Sequence, residues 1–371
     1  MIQLGILATL IGCAIPFIGR ADDLPSRQDP RVIPVFHSDR IWNCVATTGD
    51  GRTFVSYPSA DRPGLQVEEL TSAGTAVPWP SLDWNSWKPG EGVIRTAFYH
   101  VNALRIGPDG KLWIVDSGAA GPGQPCLPGA ARLFSFDTTT GSLDRVYALD
   151  SGTKPLTYID DVRFNGDHAY LTDAGTPGIL VLDLKTGKVR RVLDHDPSAT
   201  DLRPMKADGR IMRTKQGGEL RVHADQLEVS PDGRYFYFQP ASGPLARIET
   251  RWLDDPSLSP TVVAAHVQAS WVNTPTSGGT AIDANGNIYM GDSNRRRIIK
   301  IAPDKTVTTL AVDPRFIWTD AMWIDRQGFL WMPATQLNRT AGLNGGKAAV
   351  AYPVWIYKMS IGSGPPPIDH P

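Results

Sequence analysis

Residues 104–115 read LRIGPDGKLWIV and residues 227–238 read LEVSPDGRYFYF. Each is an alternating apolar run, a short glycine turn, and a second apolar run with an aromatic three residues after the turn glycine. Alternation at a period of two marks a strand, and a short glycine turn between two such runs closes a β-hairpin. The same unit recurs as Gly51…Phe54, Gly110…Trp113, Gly233…Phe236, Gly286…Tyr289 and Gly328…Trp331, with turns TGDG, GPDG, SPDG, DANG and DRQG. A sixth copy, DDVRFNGDHAYLTD (160–173), has a turn one residue shorter and carries Tyr170 as its aromatic. Three copies place an aspartate three residues after the aromatic: Asp116, Asp173 and Asp292. Further short strands follow, such as RLFSFD, GILVLDL and RIIKI.

Six matched hairpins, each extended by further strands, predict six four-stranded sheets repeated around an axis: an all-β, six-bladed β-propeller. A two-sheet sandwich is the rival architecture, but it does not predict matched units. The aromatic series is expected to pack one blade on the next. The strand in YPVWIYKMSI (352–361) is expected to share a blade with one near RVIPVFH (31–37), closing the circle and removing the open edge.

The chain has 371 residues, with 37 basic and 38 acidic side chains. That balance offers no basic field for nucleic acid or an anionic membrane, so small molecules or proteins are the expected partners. Residues 2–19 are apolar and uncharged, and Gly19 and Ala21 suit a signal peptidase, which predicts a signal peptide over 1–21 and a single propeller domain over 22–371. The segment Leu10-Ile11-Gly12-Cys13 also reads as a lipoprotein box, with Cys13 lipidated. Either way the protein is expected to be secreted or periplasmic, with no later stretch long and apolar enough to span a bilayer. Beyond the leader, Cys44 and Cys126 are open to a disulfide or to life as two separate thiols.

The repeat supplies a register. Eight residues before each turn glycine lies the position that opens the innermost strand: Asn43, Asn102, Asp225, Gly278 and Asp320, with Asp160 in the shortened copy. Innermost strands line a propeller's channel, so these oxygens should converge at one mouth. Asp and Asn also favour loop-to-strand junctions, where they bond nearby backbone, and that explains part of the pattern. As a ligand set, Asn43, Asn102, Asp160 and Asp225 suit a hard divalent cation, Ca2+ foremost. His100 and His223 each lie two residues before a ring position and could reach a ligand there; surface or hydrogen-bonded histidines satisfy the same spacing. Trp318 and Asp320 join them as candidate ligand-binding residues. The loop 195–222 carries Arg203, Lys206, Arg210, Arg213 and Lys215, and reads as a lid or as a solvated basic loop. No HExxH, GxSxG, paired CxxC or phosphate-loop motif is present.

AVPWPSLDWNSW, VNALRIGPDGKLWIVDSG, the Pro125-Cys126 pair before ARLFSFDTTTG, LEVSPDGRYFYFQPASG and FIWTDAMWIDRQGFLWMPATQLN resemble, in order and spacing, the yellow/major royal jelly proteins. The resemblance covers about residues 40–360 and implies a secreted six-bladed propeller. Among such proteins are pigment-pathway members linked to dopachrome conversion, amine-binding salivary proteins and nutritive jelly proteins. Their usual cysteine before the second-blade motif is missing from EGVIRTAFYHVNAL, so their disulfide pattern does not carry over. More distantly the chain resembles the senescence-marker/gluconolactonase propellers, which hold a divalent cation with a Glu, two Asn and an Asp at the strand openings of blades one to four. Asn102 and Asp225 match in type; Asn43 stands for the Glu and Asp160 for an Asn, so the ligand charge is conserved in sum but rearranged.

Two functions follow as expectations. One is binding or conversion of a small aromatic or amine ligand at the channel mouth, with Asp160, Asp225 and Asp320 meeting its cationic group and Trp318 or Trp42 its ring. The resemblance attaches isomerase chemistry of the dopachrome-converting type to this reading. The other is a metal-dependent lactone hydrolase, with the cation polarising the ester and Asp225 as ligand or general base.

Overall fold

The structure is a computed structural model, described here for residues 24–371 apart from 59, 61, 63 and 89. The leader expected over 1–21, including Cys13, lies outside the described residues. Six antiparallel four-stranded sheets are present. Their innermost strands are Val45–Thr47, Val101–Ile106, Ile159–Asn165, Ala224–Val229, Thr280–Ile282 and Trp323–Ile324. In blades one to five the strands run outward in chain order. The sixth is composite: Trp323–Ile324, Phe329–Ala334 and Val354–Ser360 are completed on the outside by Ile33–Ser38. The pairing of Ile33–Ser38 with Val354–Ser360 ties the two ends of the ring together, as the sequence predicted. No helix among the described residues is long and apolar enough to cross a membrane.

The hairpin turns explain their glycines. At Gly110 φ is +74°, and its N–H donates to Gly107 O at 2.9 Å. The other five turn glycines also have positive φ. A Cβ at Gly110 would meet nothing within 4 Å, so Gly110→Ala tests conformation alone. It is expected to lower stability by about 1–2 kcal/mol, read from the denaturant midpoint at unchanged slope.

The aromatic series packs between blades. Trp113 of blade two lies 4.8 Å from Phe164 of blade three, and Tyr170 of blade three lies 5.0 Å from Phe236 of blade four. Two of the aspartates that follow the aromatics, Asp116 and Asp173, hold the loop entering the innermost strand of their blade. Asp116 accepts from the N–H groups of Tyr99 (2.8 Å) and His100 (2.7 Å) and from Arg132 Nη2 (2.6 Å). Asp173 accepts from Tyr158 N (2.9 Å), Thr157 Oγ1 (2.7 Å) and Arg191 Nη1 (2.9 Å). In both blades the fixed loop ends two residues before a ring position, so a side chain in the second strand positions the channel mouth.

Candidate functional site

The six positions given by the register come together. Asn43, Asn102, Asp160, Asp225, Gly278 and Asp320, one from each blade, line a single cavity at the channel mouth. Three of them are aimed there by backbone irregularity. The innermost strands of blades two, three and four break register between Val101 and Leu104, Ile159 and Val162, and Ala224 and Leu227. In each, two residues oppose one, a β-bulge, and the first of the two is the ring residue: Asn102, Asp160 or Asp225. Gly278 is forced by its neighbour: a Cβ there would lie 2.7 Å from Trp318 Nε1 and 2.8 Å from Thr319 O.

Hydrogen bonds run around the ring in one direction. Asn43 Nδ2 donates to Asn102 Oδ1 (3.1 Å), and Asn102 Nδ2 donates to Asp160 Oδ1 (2.8 Å). Tyr158 OH also donates to Asn102 Oδ1, at 2.7 Å. The Asp160 and Asp225 carboxyls each act on the other's ionisation, and a proton held between them would relieve their repulsion. Burial lifts Asp160 to about 7. Burial, and then the charge of Asp160, push Asp225 well above the usual carboxylate range. Asp320 is raised in the same way, but its oxygens are engaged: Trp318 Nε1 donates to Oδ2 at 2.8 Å and Ala321 N to Oδ1 at 2.9 Å. None of the three carboxylates makes an ion pair among the described residues.

The cavity is small, about 10 Å³ for the centre of a water-sized sphere, which is room for roughly one water molecule or one ion. It is also roofed. Met205, Ala207, Met212, Leu220 and Val222 form one apolar cluster with Tyr158 and Trp318. The roof segment is pinned at its ends by Asp201, which accepts from Ser242 Oγ (2.6 Å) and Val222 N (3.1 Å). Lys206, Arg210, Arg213 and Lys215 of this segment point outward and are exposed, while Arg203 is bonded to the carbonyls of Ser242 and Thr274.

The two histidines stand away from the ring cavity. His100 is half-buried, its ring packed on Trp87 at 5.0 Å, and burial pushes it down to about 4. His223 uses Nδ1 to accept from Asp201 N at 3.1 Å, which anchors the roof. Trp42 is buried against Tyr57 and does not line the cavity. Cys44 and Cys126 are both free thiols, one buried in the channel wall and one in a loop, so no disulfide joins them.

A layer of charge beneath the ring escaped the sequence reading. Arg163 makes a two-point bond to Glu228, with Nε and Nη2 each at 2.9 Å from a carboxylate oxygen, and Nη1 donates to Asp161 Oδ2 at 2.6 Å. Arg105, Arg163 and Glu228 each fall three residues after a ring position, and charges inside otherwise apolar innermost strands were the signal available.

For a hard cation the donor chemistry fits: every polar ring atom free to turn inward is a carboxylate or amide oxygen, and Asp160 with Asp225 carries two negative charges when ionised. Asn43 Oδ1 accepts no hydrogen bond among the described residues, whereas Asn102 Oδ1 is already engaged twice. No cluster of three or more His, Cys, Asp or Glu side chains suited to a metal occurs among the described residues.

The sequence profile of the major royal jelly proteins matches residues 101–361, more than half of the chain. The chain belongs to the major royal jelly protein family. No curated protein matches its sequence. Among solved structures, a putative gluconolactonase is similar with a TM-score of 0.55 at 13% identity, over 94% of this chain and 98% of that one. A gluconolactonase from Xanthomonas campestris gives 0.53 at 13%, over 88% and 89%. Virginiamycin B lyase from Staphylococcus aureus gives 0.51 at 11%, over 89% and 98%. At these identities the likeness establishes the propeller fold alone, a fold that carries different chemistries in a hydrolase and a lyase. The ring of this family member therefore has to be read from its own residues.

Proposed function

We propose that the protein is an exported propeller that binds a small cationic ligand at its roofed channel mouth, and that this ligand is a hard divalent cation, Ca2+. Asn43, Asn102, Asp160 and Asp225 would hold it, Asn102 by giving up one of the two donors on its Oδ1, and the cation would add positive charge to a cavity wall whose Arg163 is spent on Asp161 and Glu228. The observation that carries this reading is a pair of desolvated carboxylates, Asp160 and Asp225, without an ion pair, beside a cavity the size of one ion. Export rests on the apolar run 2–19. An organic amine needs more space than the cavity offers, and would require Met205, Met212, Leu220 and Val222 to leave the roof. The lactonase alternative, with Asp225 as ligand or general base, has the same requirement.

The test is thermal unfolding of protein stripped by chelator, then titrated with Ca2+ at pH 7.5. A hundredfold excess over Kd is expected to raise Tm by roughly 3–5 °C. Catechol amines at millimolar concentration are expected to leave Tm unchanged, and gluconolactone to turn over no faster than in buffer. No shift with millimolar Ca2+ would overturn the cation assignment; lactone turnover that chelator abolishes would replace it with the hydrolase.

A further inference from the structure

The ring cavity is acidic, and a larger cavity beside its roof is basic. This second cavity has a volume of about 330 Å³ and shares Ala207, Met212 and Leu343 with the apolar roof. One wall is a hairpin of the roof segment, in which Lys206–Ala207 pairs with Arg210–Ile211. Its turn is Asp208-Gly209, and both residues have positive φ (+50° and +78°), the conformation that an Asp-Gly pair favours in a two-residue hairpin loop. The turn is bonded to blade five. Asp208 N donates to Ser293 O (3.2 Å) and Gly209 N to Asn294 Oδ1 (2.8 Å). The Asp208 carboxylate takes a two-point bond from Arg296, with Nε and Nη2 at 2.7 and 2.8 Å. The facing wall is the blade-six connection that follows Phe329–Ala334. It makes a short 3-10 turn over Leu337–Arg339 and folds back, with Ala349 N donating to Arg339 O (2.8 Å). Gly345 N donates to Arg213 O (3.0 Å) and ties this wall to the roof segment. Three segments bonded to one another therefore build the cavity.

Its charge is not balanced. The charged side chains of the lining are Asp208, Arg210, Arg296 and Arg339. Arg296 is spent on Asp208. Arg339 Nη2 stands 3.7 Å from the same carboxylate, and its Nη1 donates to Gln336 Oε1 (3.1 Å). Arg210 is exposed and makes no ion pair among the described residues. Three guanidiniums against one carboxylate leave two positive charges in excess. Burial pulls the pKa of Arg339 below its ordinary value and Asp208 offsets only part of that, as for a cation short of counter-charge. On the same wall Asn338 is 8% exposed, and its side chain makes no hydrogen bond among the described residues. A buried amide that bonds nothing is costly, and its N–H is there to be given to a carboxylate oxygen.

The rest of the lining is largely apolar. Leu24, Ile211, Met212 and Leu343 belong to it, and Leu24 and Ile211 are each 38% exposed, which leaves apolar area for a ligand to cover. An inorganic anion would leave that area wet and most of the volume unfilled. The two guanidiniums without a carboxylate of their own, Arg210 and Arg339, come from different walls. That arrangement suits a ligand charged at both ends better than one compact anion, and a guanidinium fork pairs a carboxylate at two points.

We propose that this cavity is a second binding site, for a small organic dicarboxylate with an apolar middle. One carboxylate pairs with Arg339 and accepts from Asn338, the other pairs with Arg210, and the chain between them lies on Ile211, Met212 and Leu343. The site is independent of the acidic ring: it takes an anion where the ring takes a cation, and the roof separates the two.

Calorimetric titration of metal-free protein at pH 7.5 and constant ionic strength tests this with adipate, hexanoate, the corresponding six-carbon diol and sulfate. Adipate is expected to bind once per chain with a sub-millimolar Kd, and hexanoate about tenfold or more weakly. The diol and sulfate should give no heat of binding at millimolar concentration. Arg210→Gln should weaken adipate about tenfold or more. Ala349→Trp adds bulk but no charge to the lining and should abolish binding. Both positions are exposed, so both variants keep the fold of the parent. No adipate binding at millimolar concentration, equal affinity for adipate and hexanoate, competition by sulfate, or binding that survives Ala349→Trp overturns the proposal.

Discussion

Arg163→Leu is expected to destabilise the propeller by about 3–5 kcal/mol, because it strands two buried carboxylates at once. Arg163 is 1% exposed and is the two-point partner of Glu228 as well as a donor to Asp161. Removing it leaves Glu228 with Thr280 Oγ1, and leaves Asp161 with Arg105 at 3.9 Å. A hydroxyl does not replace a guanidinium, and the guanidinium of Arg105 is already bonded to Asp369. The loss should be largest near pH 8 and shrink on acidification, since protonation relieves the stranded carboxylates. Urea unfolding at pH 5 and pH 8 measures both values. A loss under about 1 kcal/mol at pH 8 would mean that the layer is hydrated and that its ion pairs are held in a polar medium.

Asp225→Asn is expected to do the opposite to stability while abolishing cation binding. Burial and the charge of Asp160 raise Asp225 well above its ordinary value, and Asp160 itself is lifted to about 7. Groups with a raised carboxyl pKa make the folded state bind protons that the unfolded chain has given up. Their contribution is therefore greatest in acid and declines as pH rises from about 4, the unfolded value, through the folded values. The cation-free protein should lose stability across neutral pH for this reason. An amide at 225 can donate to Asp160 and removes one charge, so the variant should be more stable than the cation-free parent at pH 8, by about 1–3 kcal/mol. It should also show a flatter pH profile between pH 6 and pH 9, and bind Ca2+ at least about a hundredfold more weakly. Paired urea and Ca2+ titrations of parent and variant check all three. A variant less stable than its parent at pH 8 would mean that Asp225 is ionised and already neutralised by something in the fold.

The sequence carried the propeller because its repeat is local. Each copy joins a turn glycine to an aromatic three residues on, so hairpin and inter-blade ring are written within about a dozen residues, and counting back from the glycine reaches the ring position. That is why Asn43, Asn102, Asp160, Asp225, Gly278 and Asp320 could be named together before any coordinates. Three features were not legible in this way. The bulges at Asn102, Asp160 and Asp225 depend on what the second strand pairs with, which no single strand records. The roof depends on Met205, Met212 and Leu220, scattered through a segment whose basic residues are the louder pattern. The charge layer joins Arg105, Asp161, Arg163, Glu228 and Asp369, whose contact is created by closure of the ring and by a segment more than 130 residues from Glu228. The same non-locality explains the histidines. Spacing put His100 and His223 beside the ring, but the loop held by Asp116 turns His100 onto Trp87, and His223 is spent on Asp201.

On the cation proposal, Asp160 and Asp225 share a site that takes either a proton or a cation. Calorimetric titration of chelator-stripped protein with Ca2+ at pH 6.5 and pH 8.5, in buffers of different ionisation enthalpy, measures ion stoichiometry and proton release together. The expected result is one Ca2+ per chain, about one more proton released at pH 6.5 than at pH 8.5, and loss of binding in both Asp160→Asn and Asp225→Asn. The absence of any Ca2+ binding at millimolar concentration, or binding that survives both substitutions, would contradict it.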